Sequence, residues 1–376
     1  MFYRKAMPYK RVKRTRTLIS DFSGGINAFA DENLLPFKYS PLAYNFYCKN
    51  GALTHCRGLG RLSLAGGLLR PLEAGIIKLY FYRRYDPQLG ASCDKLLAYC
   101  ADNKMYYADI DGEGEFTPLE GMEFEKAPSG INYRLNGEDV IILCSERDCM
   151  TVWNGAGPPY RVESAPYISS MCVHYERLFA TVDGEKASVW FSDDLDPTNW
   201  DISLEGGGYI EILGEKGSLL KVIKFLDYVY IFRSYGISRI TAYGEQTDFS
   251  VITLYTSSGK IYPDTVSVCG DRIIFLAQDG VYSFDGLKTV KILSGIFPLL
   301  SGQQSAAVSA YYNGCYYLAC KINFDEDDGG INNALIEYDI SGGSCAVIKC
   351  GDISSLTVIA AESFNALAVA VRVPPP

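Results

Sequence analysis

Beyond residue 70 the chain repeats one pattern. A first strand ends near a polar turn, a second and very apolar strand follows, a third ends in an aromatic and a turn, and a short fourth leads out. The second strands are clearest: DVIILC (139–144), RLFATV (177–182), YVYIFR (228–233), RIIFLA (272–277) and CYYLAC (315–320). First strands begin near residues 73, 131, 168, 218, 265, 305 and 355, a mean step of about 47 residues, and four strands in such a step is the signature of a β-propeller. An unbroken apolar strand suits burial on both faces, as between neighbouring blades. The chain is therefore expected to be all-β: a propeller of about seven blades, with a closed six-bladed ring as the alternative and a pair of β-sandwiches third. The last set holds only two clear strands. GALTHCRG and GRLSL, residues 51–64, are expected to supply the missing ones and close the ring, which removes an open edge.

This reading divides the chain into a basic arm (1–16), an N-terminal segment (17–66) and the propeller (67–376). In the middle segment SPLAYNFYC (40–48) is the best helix candidate, because Ser40 can cap and Pro41 suits the first helical position. Hydrophobic residues make up 48% of the chain and charged ones 21%, a balance that fills a core and argues against extended disorder. Tyr is abundant at 28 copies beside 18 Phe, which suits strand surfaces and large interfaces. No apolar run reaches the roughly 20 residues of a membrane span. MFYRKAMPYKRVKRTRT lacks the apolar core of a secretory leader, so folding in a cytosol is expected. The 12 cysteines include no CxxC pair, and Cys144, Cys172, Cys269 and Cys320 lie in apolar strands. They are expected to be free, buried thiols.

Charge is unevenly spread. Arg4, Lys5, Lys10, Arg11, Lys13, Arg14 and Arg16 give residues 1–16 a charge of +7 with no acid; the whole chain is −9, so the remainder carries −16. A basic arm on an acidic body is expected to dock on a partner.

Chemical motifs are sparse. SDDLDPTNW (192–200) has three carboxylates beside a proline and a tryptophan. Ser192, Asp194, Thr198 and Trp200 are similar to the Asp-box of sialidase-like propellers, with one extra residue before the tryptophan and Asp196 where glycine belongs; that box is itself a structural turn. Read as a turn, Asp196-Pro197 starts it and Trp200 plugs back onto the blade. FDEDDGGINN (324–333) offers Asp325, Asp327 and Asp328 to a cation but lacks the EF-hand spacing, and is expected to be an acidic hairpin loop. FSGGIN (22–27) has neither the lysine of a P-loop nor GxGxxG. His55 and His174 are the only histidines, and His174, in an alternating strand, is expected to be structural. No catalytic constellation, cofactor site or metal site emerges.

A resemblance covers most of the chain. FSGGIN (22–27), LLP (34–36), SPLAYNFY (40–47) and GALTHCRGLG (51–60), followed by ERLFAT (176–181), VWFSDDLDPTNW (189–200) and DRIIFLAQDGVYSFDG (271–286), together resemble the propellers of bacteriophage tails and head–tail connections, nearest to the nozzle or tail-hub proteins of short-tailed phages. The positions that carry it are Gly24, Gly25, Asn45, Gly51, Arg57, Gly58, Ser192, Asp196, Pro197 and Trp200. The resemblance implies a non-enzymatic virion protein, assembled in the bacterial cytoplasm. It implies a ring, commonly sixfold, below the portal and adaptor and near the fibres, with DNA passing through without sequence recognition. This chain is shorter than the larger nozzle proteins. A glycan-binding or glycan-cleaving propeller is the alternative function.

Overall fold

The computed structural model describes residues 16, 18–49, 52–56, 58–204, 206–244, 246–300, 302, 304–324 and 330–372. Six antiparallel four-stranded sheets follow one another along the chain, over residues 76–123, 129–162, 168–211, 219–256, 267–292 and 308–349. They are blades 1 to 6 of a propeller. A two-stranded hairpin, Ile353–Ala360 with Asn365–Val371, packs between blade 6 and blade 1. The inner strands begin at Ile76, Ser129, Ile168, Leu219, Ser267, Val308 and Ile353, each within three residues of the position expected from the repeat.

Alternation in the second strands explains the ring. In blade 2, Ile141 and Leu143 pack in one cluster with Tyr80, Tyr82, Leu97 and Tyr99 of blade 1. Their neighbours Val140, Ile142 and Cys144 point the other way, to Met171, Leu178 and Ala180 of blade 3. Blade 5 repeats this: Ile273, Phe275 and Ala277 face blade 4, while Ile274 and Leu276 face blade 6. Each second strand thus buries both faces, which is why its sequence is unbroken apolar rather than alternating. The described cysteines form no disulfide, and of those in the second strands Cys100, Cys144 and Cys320 are fully buried while Cys315, at the start of its strand, is half-buried.

The hairpins between first and second strands turn tightly. Asn136-Gly137 and Asn313-Gly314 both have positive φ, the pair favoured for a two-residue hairpin. Blade 3 uses Tyr175-Glu176 there, at φ 44° and 65°, a conformation costly for side chains of that size.

Closure of the ring departs from expectation. Among the described residues, 52–56 and 58–64 add no ladder strand to the last hairpin, which stays two-stranded. Ala52–His55 pairs instead with Phe46–Lys49 beside the outer edge of blade 6. A small hairpin, Ser63–Leu64 with Gly67–Leu68, is bonded to residues 110–114 of blade 1 through Ala65 N–H to Ile110 O and Arg70 N–H to Gly114 O. Leu64 still fills the wedge, packing with Ile359, Ala368 and Ala370. The segment therefore closes the ring by apolar packing, not by hydrogen-bonded strands.

Residues 40–48 form no helix either. Tyr39–Ser40 pairs with Gly25–Ile26. Asn45 sits at φ 64° with its N–H on Val347 O, and pairing with blade 6 overrides the capping signal of Ser40 and Pro41. No helix among the described residues is long and apolar enough to cross a membrane.

Candidate functional site

The acidic stretch 192–200 forms a closed corner of blade 3. Ser192 is fully buried, and its Oγ accepts the Leu178 N–H at 3.0 Å. Asp196 accepts both the N–H and the hydroxyl of Thr198 at 2.9 and 2.6 Å. Asp193 accepts the Asn199 side-chain amide at 3.1 Å. The Trp200 indole donates to Pro197 O at 3.0 Å, and its ring is buried in the core between blades 2 and 3. Arg177 ties the corner down by donating to Ser192 O and Gly206 O. Asp193 and Asp196 are thus engaged in turn hydrogen bonds, and among the described residues no group of three or more His, Cys, Asp or Glu side chains is placed to hold a metal. Asp325, Asp327 and Asp328 of the acidic loop lie outside the described residues.

His174 is fully buried against Tyr175 and Phe179, and neither ring nitrogen makes a hydrogen bond of ordinary geometry. Burial holds its pKa below the usual 6.5, and Lys224 adds to this, with the Ala242 backbone pulling weakly the other way. It is a neutral core side chain.

The N-terminal positions gather on the outer side of blades 5 and 6. A Cβ on Gly24 would lie 2.5 Å from the Tyr39 ring, and Gly25 has φ 67°. Ile26 enters the core shared by blades 5 and 6, beside Ala28, whose N–H bonds Gly295 O. Asn45 Oδ1 accepts the Lys349 N–H at 2.9 Å, while Asn45 O accepts the Cys56 N–H. Tyr47 reaches the half-buried Glu337, whose carboxyl is pushed up by burial and held by the hydroxyls of Tyr47 and Tyr317. The segment is thus strapped to blade 6. Gly58 has φ 73° with open space around it. Gly51, Arg57 and the arm residues Arg4, Lys5, Lys10, Arg11, Lys13 and Arg14 lie outside the described residues; Arg16 is exposed.

The N-terminal segment exposes many large apolar side chains. Leu18, Phe29, Leu34 and Phe37 are 87, 73, 79 and 70% exposed. Ile19, Leu42, Phe46, Leu53, Leu59 and Leu68 are exposed beside them in sequence. A scattered exposed leucine needs no explanation, but such a concentration in about 50 residues marks a contact surface.

A cavity of about 620 Å³ runs down the propeller axis, lined by the inner strands. Its wall shows an internal repeat that the strand grammar did not reveal. Ile168-Ser169-Ser170 in blade 3 precedes Leu219-Leu220-Lys221 in blade 4; Ile353-Ser354-Ser355 in the closing hairpin precedes Ile76-Ile77-Lys78 in blade 1. Ser170 Oγ accepts the Val222 N–H at 3.2 Å, and Ser355 Oγ accepts the Leu79 N–H at 3.0 Å. Each lysine then donates to the carbonyl just before the next inner strand: Lys78 to Pro128 O at 2.9 Å and Lys221 to Val266 O at 3.0 Å. Burial pulls both ammonium groups below the usual lysine range; Asp264 opposes this for both, and Lys78 deepens it for Lys221. The signal available in sequence was a lysine at the third position of two apolar first strands, IIKLYFY and LLKVIKF.

No family model and no curated protein matches this chain. Among solved structures it resembles BBS1N, solved in complex with ARL6DN, at 9% identity and a TM-score of 0.51, over 83% of this chain and 92% of that one. It also aligns with the computationally designed Ika8 protein at 12% identity and a TM-score of 0.46, over 83% of this chain and all of that one. The first likeness agrees with the propeller architecture and speaks to fold alone.

Proposed function

We propose that this chain is a structural, non-enzymatic assembly subunit. In this reading, copies pack head to tail into a ring of six in the tail of a bacterial virus. The ring sits below the portal and adaptor, near the fibres, and DNA passes through it. The observation that carries the assembly role is the number of exposed large apolar side chains between Leu18 and Leu68, on a segment bonded to blade 6 and blade 1. Its occupant is a second copy of the same chain, because the chain supplies both halves of a charge match: +7 on residues 1–16 and −16 on the rest. A head-to-tail contact places one subunit's arm on its neighbour's body and closes when the rotation is right. An acidic ring also repels phosphate, so duplex DNA slides without sticking. The viral setting rests on the motif resemblance.

Sedimentation velocity of the full chain and of a variant lacking residues 1–16 tests this. The full chain should form a discrete oligomer that weakens with salt, and the truncated chain should stay folded but shift towards monomer. A full chain that remains monomeric at every concentration and salt, together with its absence from purified particles of the producing phage by mass spectrometry, overturns the reading.

A further inference from the structure

The axial cavity holds more positive charge than its own walls neutralise. Of its lining residues, Lys126 pairs with Glu146, and Arg372 pairs with Asp352 at 3.3 Å. That leaves Lys78 and Lys221 with Asp264, and neither lysine has a carboxylate within ion-pair distance among the described residues. An ammonium has three N–H donors. Each of these has one donor assigned to a carbonyl; Lys78 also lies over the Tyr80 ring at 5.5 Å, and each keeps donor capacity for the cavity. The two groups also repel each other.

We propose that the axial cavity is a binding site for a small oxyanion, a phosphate or carboxylate group held jointly by Lys78 and Lys221. The internal repeat supports this. The same serine-to-amide latch and lysine-to-carbonyl bond occur twice, so both ammonium groups are fixed by backbone of the following blade and are pre-set for a ligand rather than free to swing. The volume lies in the usual range of small-molecule sites, about 300–1,000 Å³. One bound negative charge would balance Lys78, Lys221 and Asp264.

The test is isothermal titration of the full chain with inorganic phosphate and, separately, acetate, against chloride at equal ionic strength. Lys78→Met and Lys221→Met are titrated alongside. The wild type should bind one of the two probes saturably, and which one identifies the oxyanion class. Each variant should weaken that binding at least about tenfold, the scale of one charge-assisted hydrogen bond, while keeping its all-β circular dichroism. Should a variant not fold, amine acetylation of the wild type read by peptide mass spectrometry decides: the bound probe should protect Lys78 and Lys221 and leave exposed Lys104 unchanged. No binding above chloride, unchanged binding in folded variants, or no protection of the two lysines overturns the proposal.

Discussion

Arg233 shows how one side chain can fix a loop. It ends the apolar strand YVYIFR and is buried, with no carboxylate partner among the described residues. Its guanidinium instead donates to the carbonyls of Ile212, Leu213, Gly214 and Gly217, at 2.8–3.4 Å. This fork organises the entry into blade 4. Lysine cannot reproduce five directed donors, so Arg233→Lys should cost about 3 kcal/mol, the scale for breaking a buried charged network; urea denaturation measures it. His174 gives the opposite case. Its folded pKa lies below the usual 6.5, so protons prefer the unfolded chain. Its contribution to stability is complete above about pH 6.5 and is lost as pH falls below that. His174→Phe should therefore flatten the fall in melting temperature between about pH 6.5 and 5. A variant whose pH profile matches the wild type would contradict this.

At the scale of elements, the blades are written in local chemistry and the straps are not. Asn-Gly turns and unbroken apolar second strands place the blades to within a few residues, because each signal acts inside one hairpin. Residues 40–48 read as a helix because Ser40 and Pro41 are local signals, while the strand-like outcome depends on Val347 and Lys349, some 300 residues away. The Ser192–Trp200 corner was readable as a turn because the bonds of Asp196, Thr198, Asn199 and the Trp200 indole are made within a few positions, while its ties to Arg177 and Leu178 were not. Arg233 and the two cavity lysines were not, since their partners are carbonyls whose positions only the folded ring defines. The hairpin of blade 3 makes this scale testable. Replacing Tyr175-Glu176 with Asn-Gly relieves positive φ at two large residues and should raise stability by about 1 kcal/mol, read as a higher melting temperature. Removing the ring's latches acts the other way. Ser355→Ala leaves the buried Leu79 N–H without its partner and should cost about 1–3 kcal/mol, with faster hydrogen exchange at Leu79 where the closing hairpin meets blade 1.

At the scale of the molecule, the ring is closed by contacts between blade 1 and the C-terminal hairpin, reinforced by Leu64 of the N-terminal segment. The N-terminal segment thus touches the seam at Leu64 and the outer edge of blade 6 at Asn45, and it carries many exposed apolar side chains. In the proposed assembly this apolar segment joins one copy to the next. Negative-stain electron microscopy of the purified full chain tests it most directly. Closed rings with a central opening are expected, six subunits around, each of propeller size. A field of single propeller-sized particles, unchanged on raising concentration or lowering salt, would contradict it.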